Sequence, residues 1–202
     1  MSVKDHSLDD KIIQAATAEF LEHSFRGASM RKIAQRAGLT TGALYNRYEN
    51  KDVLFCSLIK TALREISGQF EPMKELYLEA QATADPEKIM AAIRQEERIY
   101  LDLMFRYYDQ CVLFFCCSDG SSIQQSLNQM MEEKAKQTVL FLKSIARRDV
   151  NLDGIEIILS EQFHYYRHVL QKGYSKEQVL ACMQSVEEFM DAGWKHLFEK
   201  IL

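Results

Sequence analysis

Two prolines and eight glycines are few for 202 residues. A chain with so few breakers reads as mostly helical. Cysteine is also sparse and poorly arranged for bridging. There are five, an odd number, with no Cys-x-x-Cys spacing, and Cys116 stands beside Cys117. No disulfide framework or zinc finger follows from that. No run of about 18 apolar residues occurs, so no helical membrane span is expected. The stretch from Met1 to Lys11 carries Lys4, Asp5, Asp9 and Asp10 and no apolar core. A secretory leader is therefore not expected, and the reducing cytoplasm is the expected location. The chain also lacks a nucleophile elbow, a phosphate loop, an HExxH and a paired-acid loop, so no enzyme class is indicated. No cofactor is implied.

Hydrophobic residues make up 47% of the chain, enough for a substantial core, and charged residues 27%. The net charge of −4 argues against a general nucleic-acid coat, but its distribution is uneven. From Ser24 to Lys51 there are six cations (Arg26, Arg31, Lys32, Arg36, Arg47 and Lys51) and a single acid, Glu49. A compact basic patch on an acidic protein suggests one dedicated polyanion-binding face.

Apolar spacing predicts a first helix from about Leu8 to His23, with Ile12, Ile13, Ala16 and Phe20 on one face. A second begins at Ser29, buries Met30, Ile33, Ala34 and Ala37, and stops at Gly38. Thr40 is placed to cap a short third helix, Thr41 to Tyr48, and Asn50 a long fourth one with Asp52 in its first turn. Asp85-Pro86-Glu87 marks another start, for a helix reaching about Tyr108. Beyond the dense apolar stretch Cys111 to Cys117 and a break at Ser118 to Ser122, helices are expected to about Arg148 and from about Gly154 to Lys172. Ser175 with Gln178 is a capping box opening a last helix to about Lys200.

The two short helices around Gly38 have helix-turn-helix proportions. In that motif one helix crosses the phosphate backbone and the next enters the major groove. Thr41, Gly42 and Ala43 are small enough for close approach; Thr40, Thr41 and Asn46 can bond phosphates or base edges; Tyr45 and Arg47 reach outward, and Lys51 opens the next helix. Helix starts at Ser29, Thr40 and Asn50 add amide donors.

With Phe20, Gly27, Ser29, Met30, Ile33, Ala34, Ala37, Gly38, Leu39, Thr40, Gly42, Leu44, Tyr45, Tyr48, Asn50, Lys51 and Leu54 where they stand, the first 60 or so residues resemble the TetR/AcrR family of transcriptional regulators. The resemblance implies an all-α protein: a three-helix helix-turn-helix DNA-binding domain over 1–51, with a long connecting helix from about residue 50, and a larger helical-bundle domain over 52–202 for ligand binding and dimerisation. It implies a homodimer that binds palindromic operator DNA, in most of the family as a repressor, and responds to a small effector. Ser29, Arg31, Thr40, Thr41, Tyr45 and Lys51 match positions that commonly touch DNA. Arg47-Tyr48 departs from the usual histidine-phenylalanine, and Lys32 stands where an acid is common. Both leave the operator sequence open.

In the second half, Val179, Met183, Val186, Met190, Trp194, Leu197 and Ile201 recur at spacings of three and four, as do Ile155, Ile158, Leu159, Phe163, Tyr166, Val169 and Leu170. Such stripes fit either internal packing or a four-helix dimer seam; the family resemblance favours the seam, with Ile158, Phe163, Tyr166, Val186, Met190 and Trp194 as its candidates. Phe105, Tyr108, Phe114, Phe115, Met130 and Met131 are candidates for an effector pocket, of the bulky adaptable kind that suits mainly apolar ligands. Core packing accounts for each of them equally simply. Two sharper ideas compete with plain structure: a metal held by His164 and His168 with Glu161, and redox sensing by Cys111, Cys116 and Cys117. Solvent exposure and ordinary burial explain the same residues. A protein-interaction adaptor would not need a recognition helix that stays small, polar and basic.

Overall fold

The computed structural model describes residues 6–68, 70–83, 85–148, 151–161 and 163–202. Among them every regular element is a helix: α1 His6–Gly27, α2 Met30–Arg36, α3 Thr41–Tyr45, α4 Lys51–Gly68, α5 Phe70–Thr83, α6 Pro86–Arg106, α7 Tyr108–Cys116, α8 Ser122–Ile145, α9 Asp153–Glu161, α10 Phe163–Gln171 and α11 Lys176–Ile201.

The start signals work as the sequence implies. Thr40 Oγ1 accepts from the Ala43 N–H at 3.2 Å. Asn50 Oδ1 accepts from the Val53 N–H at 2.9 Å, and Asp85 Oδ1 from the Glu87 N–H at 2.9 Å. Both bonds of the Ser175–Gln178 capping box are made. Gly38 has φ +72, the left-handed conformation that ends α2 and that a Cβ would disfavour. Helix α3 is shorter than its pattern suggests: after Tyr45 the backbone tightens, with the Arg47 and Tyr48 N–H groups both donating to the Leu44 carbonyl.

Helix α1 is kinked at Ser24, whose φ of 55 and ψ of 174 lie in a region that favours glycine. The regular helix thus ends near the expected His23. The kink lets the Phe25 N–H leave the helix and donate to the Cys117 carbonyl at 2.8 Å.

The chain forms two compact units, the first Met1–Arg64 with Tyr107–Asn128, the second Glu65–Arg106 with Gln129–Leu202. A cut after residue 51 does not follow them. The first turns of α4 bury Leu54, Phe55, Leu58 and Ile59, and the Phe55 ring packs edge-on against Phe20 at 4.9 Å and Phe25 at 5.3 Å. Helix α7 packs on α1 in the same unit. The second unit has its own core, in which Ile89, Val139, Leu142, Leu152, Trp194, Phe198 and Ile201 form one buried cluster.

Candidate functional site

The first unit presents the helix-turn-helix as two short helices held from behind. Ser29 is extended and stands at the N-terminus of α2, yet its hydroxyl makes no capping bond. Instead its N–H donates to Glu19 Oε1 at 3.2 Å. Glu19 is wholly buried on α1, so α1 supplies the negative end that α2 needs. Arg36, in the last turn of α2, bonds Glu22 at 2.6 Å and lies 3.6 Å from Glu19. That pairing holds the Glu22 carboxyl below its usual range.

On the outward side Arg31, Thr40, Gly42, Tyr45, Asn46 and Arg47 are exposed, and Ser29, Thr41, Ala43 and Lys51 half-buried. The structure brings these ten residues onto α2, α3, the turns beside them and the start of α4, all in one unit, but it divides the cations. Arg26 is 3.0 Å from Asp119, Arg36 is paired with Glu22, and Arg47 pairs with Asp9. Lys51 does not simply extend outward: its Nζ donates to the carbonyls of Arg26 at 3.3 Å and Ala28 at 3.2 Å, and sits 4.7 Å from the centre of the Phe25 ring. It closes the C-terminal end of α1, where a cation is favoured. Among the described residues, Arg31 and Lys32 are exposed with no hydrogen bond or ion pair.

The second unit contains a narrow cleft, a cavity of about 50 Å³ that opens to solvent. Its wall includes Tyr77, Glu96, Glu97, Tyr100, Lys134, Thr138, Phe141, Tyr166, Trp194 and Phe198. Inside it Lys134 Nζ bonds Glu96 Oε1, the Tyr77 hydroxyl donates to Glu96 Oε2 at 2.5 Å, and the Tyr100 hydroxyl lies 3.4 Å from the same ammonium. Burial pushes the Tyr77 phenol well above its usual range, which keeps it a donor. Burial, with Glu187 and Asp191 nearby, raises the Glu97 carboxyl to about 7.

None of the six residues expected to line an effector pocket lies in this wall. Tyr108, Phe114 and Phe115 belong to the first unit, where Phe114 and Phe115 pack on each other edge-on at 4.9 Å. Phe105 is covered by Lys176, 5.1 Å from its ring centre, and Met130 and Met131 are half-buried elsewhere on the second unit. Two dimer candidates line the cleft instead: Tyr166 and Trp194 are buried inside their own chain. Val186 and Met190 are half-buried, Ile158 is exposed, and the Phe163 side chain lies outside the described residues. Sequence did hold a signal for the cleft. Ile89, Ile93, Glu96 and Tyr100 fall on one stripe of α6, and an acid on an apolar stripe marks a buried polar site.

The metal and redox ideas gain no support. His164 Nδ1 meets Glu161 at 2.5 Å, and His168 is exposed. Among the described residues the one grouping with metal-ligand spacing is Glu19, Glu22 and His23, and Arg36 already lies between its two carboxylates. Burial pushes the Cys111 thiol up to about 12 and raises Cys117 as well, so neither is an activated thiolate.

Residues 12–58 match the tetR family of bacterial regulatory proteins. No curated protein matches the chain. Solved structures share its fold at low identity. A protein from Syntrophomonas wolfei described as a TetR-family transcriptional regulator superposes with a TM-score of 0.57 at 16% identity, covering 94% of this chain and 97% of that one. MexZ of Pseudomonas aeruginosa, a repressor responsible for antibiotic resistance, gives 0.54 at 19%, covering 98% and 100%. FadR of Bacillus subtilis, solved with stearoyl-CoA, gives 0.51 at 18%, covering 92% and 98%.

Proposed function

We propose, from the match of residues 12–58 to the tetR family of bacterial regulatory proteins, that this chain is a ligand-responsive repressor which binds a palindromic operator as a homodimer. The observation that carries the DNA-binding half is the exposed row Thr40, Gly42, Tyr45, Asn46 and Arg47 on and beside α3, with the unpaired Arg31 and Lys32 on α2. Small and hydrogen-bonding groups on one helix, flanked by cations on the preceding one, suit a helix laid in the major groove and steadied on phosphates.

Dimerisation is supported by apolar side chains that one chain leaves in water. Ile157 is 66% exposed, Ile158 46%, Leu180 44% and Phe189 78%, on α9 and α11 of the second unit. A second copy packed against α9 and α11 would take such side chains out of water. Two recognition helices in such a dimer must stand about 34–36 Å apart to enter successive major grooves. An effector that binds better to a dimer with another spacing would empty the operator, and by linkage the operator would weaken the effector equally. FadR's stearoyl-CoA shows that a protein of this fold can hold a small molecule. The cleft lined by Tyr77, Glu97, Tyr166 and Trp194 is the effector site in this reading.

The test is anisotropy of the full chain against a random duplex pool at several salt concentrations, with sequencing of the bound fraction. Enrichment of a two-fold-symmetric sequence with a steep salt slope is expected. Binding with no enriched sequence would overturn the operator reading.

A further inference from the structure

The cleft of the second unit has a charge balance that narrows what it can hold. Its wall carries two carboxyls, Glu96 and Glu97, and one basic group, Lys134, whose amine burial lowers to about 7. Glu96 and Lys134 are committed to each other, and Tyr77 holds the second oxygen of Glu96. Glu97 makes no hydrogen bond or ion pair among the described residues. A cation acting on it, Arg94, reaches Asp191 at 3.6 Å and the Met90 carbonyl at 3.4 Å. The other charges that face Glu97 are acids, Glu187 and Asp191 of α11. The surplus of the cleft is therefore at least one carboxyl, with further negative charge beside it.

The rest of the wall is aromatic: Tyr77, Tyr100, Phe141, Tyr166, Trp194 and Phe198. Ring faces carry negative electrostatic potential and attract a cation within about 6 Å. The cleft already shows this with its own ammonium, since Lys134 Nζ lies 4.8 Å from the centre of the Tyr100 ring. An anion would fare differently. To use Lys134 it would have to separate a hydrogen-bonded ion pair whose carboxylate end is buried, and leave Glu96 uncompensated, which is unfavourable. A cation resting on Glu97 breaks nothing.

We propose that this cleft selects organic cations, with the positive group against Glu97 and the apolar body among the aromatic rings. The inference deepens the effector reading above and rests on it for its regulatory meaning. The cleft is narrow, so the occupant is a small aromatic or alkyl ammonium, or the ammonium end of something longer.

Trp194 is the one tryptophan of the chain and lines the cleft, so its fluorescence reports occupancy directly. Benzylammonium, benzyl alcohol and benzoate share a ring and differ in charge. They are titrated separately into the full chain without DNA at pH 8. Benzylammonium is expected to change the Trp194 emission saturably, with a Kd about ten-fold or more below that of benzyl alcohol and benzoate weakest. Glu97→Gln should bring benzylammonium to the level of benzyl alcohol, and an unchanged far-UV circular dichroism spectrum shows that the variant is folded. Glu97→Asp should keep part of the preference. Benzoate binding as tightly as benzylammonium would overturn the proposal, and so would a preference that survives Glu97→Gln or an emission unmoved by all three probes. Operator binding is measured apart from this. Cation selectivity without any operator would sink the regulator reading and leave this one standing, and an operator-binding chain without cation selectivity would do the reverse.

Discussion

Asp52 accepts both hydrogen bonds that Ser122 can offer it, from the backbone N–H at 2.9 Å and from the hydroxyl at 2.6 Å. The two residues stand at the first turns of α4 and α8, seventy positions apart in the chain and inside the same compact unit. Around them Phe25 donates to the Cys117 carbonyl, and Arg26 pairs with Asp119. Gly120 has φ +85, a left-handed conformation that a side chain would strain, so the turn that presents these groups favours glycine. The segment from Tyr107 to Asn128 is thereby fastened to the helix-turn-helix, and α8 carries on from it into the second unit.

Asp52→Ala should therefore destabilise the chain by about 1.5–3 kcal/mol, the usual worth of hydrogen bonds to a charged group, toward the lower end because the site is partly exposed. Ser122→Ala should cost less, since the backbone N–H still donates. The double variant should cost less than the sum of the two, because they remove the same contact. Urea melts of the four proteins check this, and strict additivity would contradict it.

Arg47 is held by Asp9, so one cation of the recognition surface is partly neutralised. Asp9→Asn should release it. Tighter binding to duplexes of any sequence is expected, with a steeper dependence on salt by up to about one phosphate contact. Anisotropy titrations at several salt concentrations would show it. An unchanged slope would mean Arg47 does not reach phosphate. Lys51→Ala should behave in the opposite way and lower stability more than salt dependence, because its ammonium closes α1.

Ser24 is the one non-glycine residue with positive φ among the described residues, and its ψ of 174 belongs to a region nearly restricted to glycine. Such a residue stores about 1–3 kcal/mol of strain. Ser24→Gly should recover part of that, offset by the lost side-chain bond to Cys117 and by glycine's greater unfolded freedom. A net gain in thermal midpoint is expected. Gly38→Ala should go the other way and lose about 1 kcal/mol or more, because φ +72 is retained at a cost once a Cβ is present.

Burial first, and then Glu187 and Asp191, raise the Glu97 carboxyl from 4.5 to about 7. Between those values the folded chain holds more protons than the unfolded one. Its unfolding free energy therefore falls as pH rises from about 4.5 to 7 through this group. Glu97→Gln should remove that part of the decline, so the difference between wild type and variant widens across this window and is flat on either side. Arg94 on α6, Glu187 and Asp191 on α11 and Tyr166 on α10 are the other charged or titratable groups that act on or around it. Denaturant melts at half-unit pH steps measure the difference.

Local physics made the helix-turn-helix legible in the sequence. Caps at Thr40, Asn50, Asp85 and Ser175, the stop at Gly38 and the apolar spacing of α1 and α2 act over a few residues, and all of them are met in the structure. The family resemblance rested on the same segment. What long-range packing decided could not be read that way. Four of the six cations between Ser24 and Lys51 find intramolecular partners, and those lie on α1, in the turn before α8, or on backbone carbonyls that only folding brings near. Aromatic and methionine content suggested an effector pocket around Phe114 and Met130, but composition does not say which rings converge. Tyr77, Tyr100, Tyr166 and Trp194 come from α5, α6, α10 and α11. Short-range hydrogen bonding and apolar periodicity determined the helices, whereas the shape and charge of the cleft depend on contacts between residues far apart in the chain, which tertiary packing alone sets.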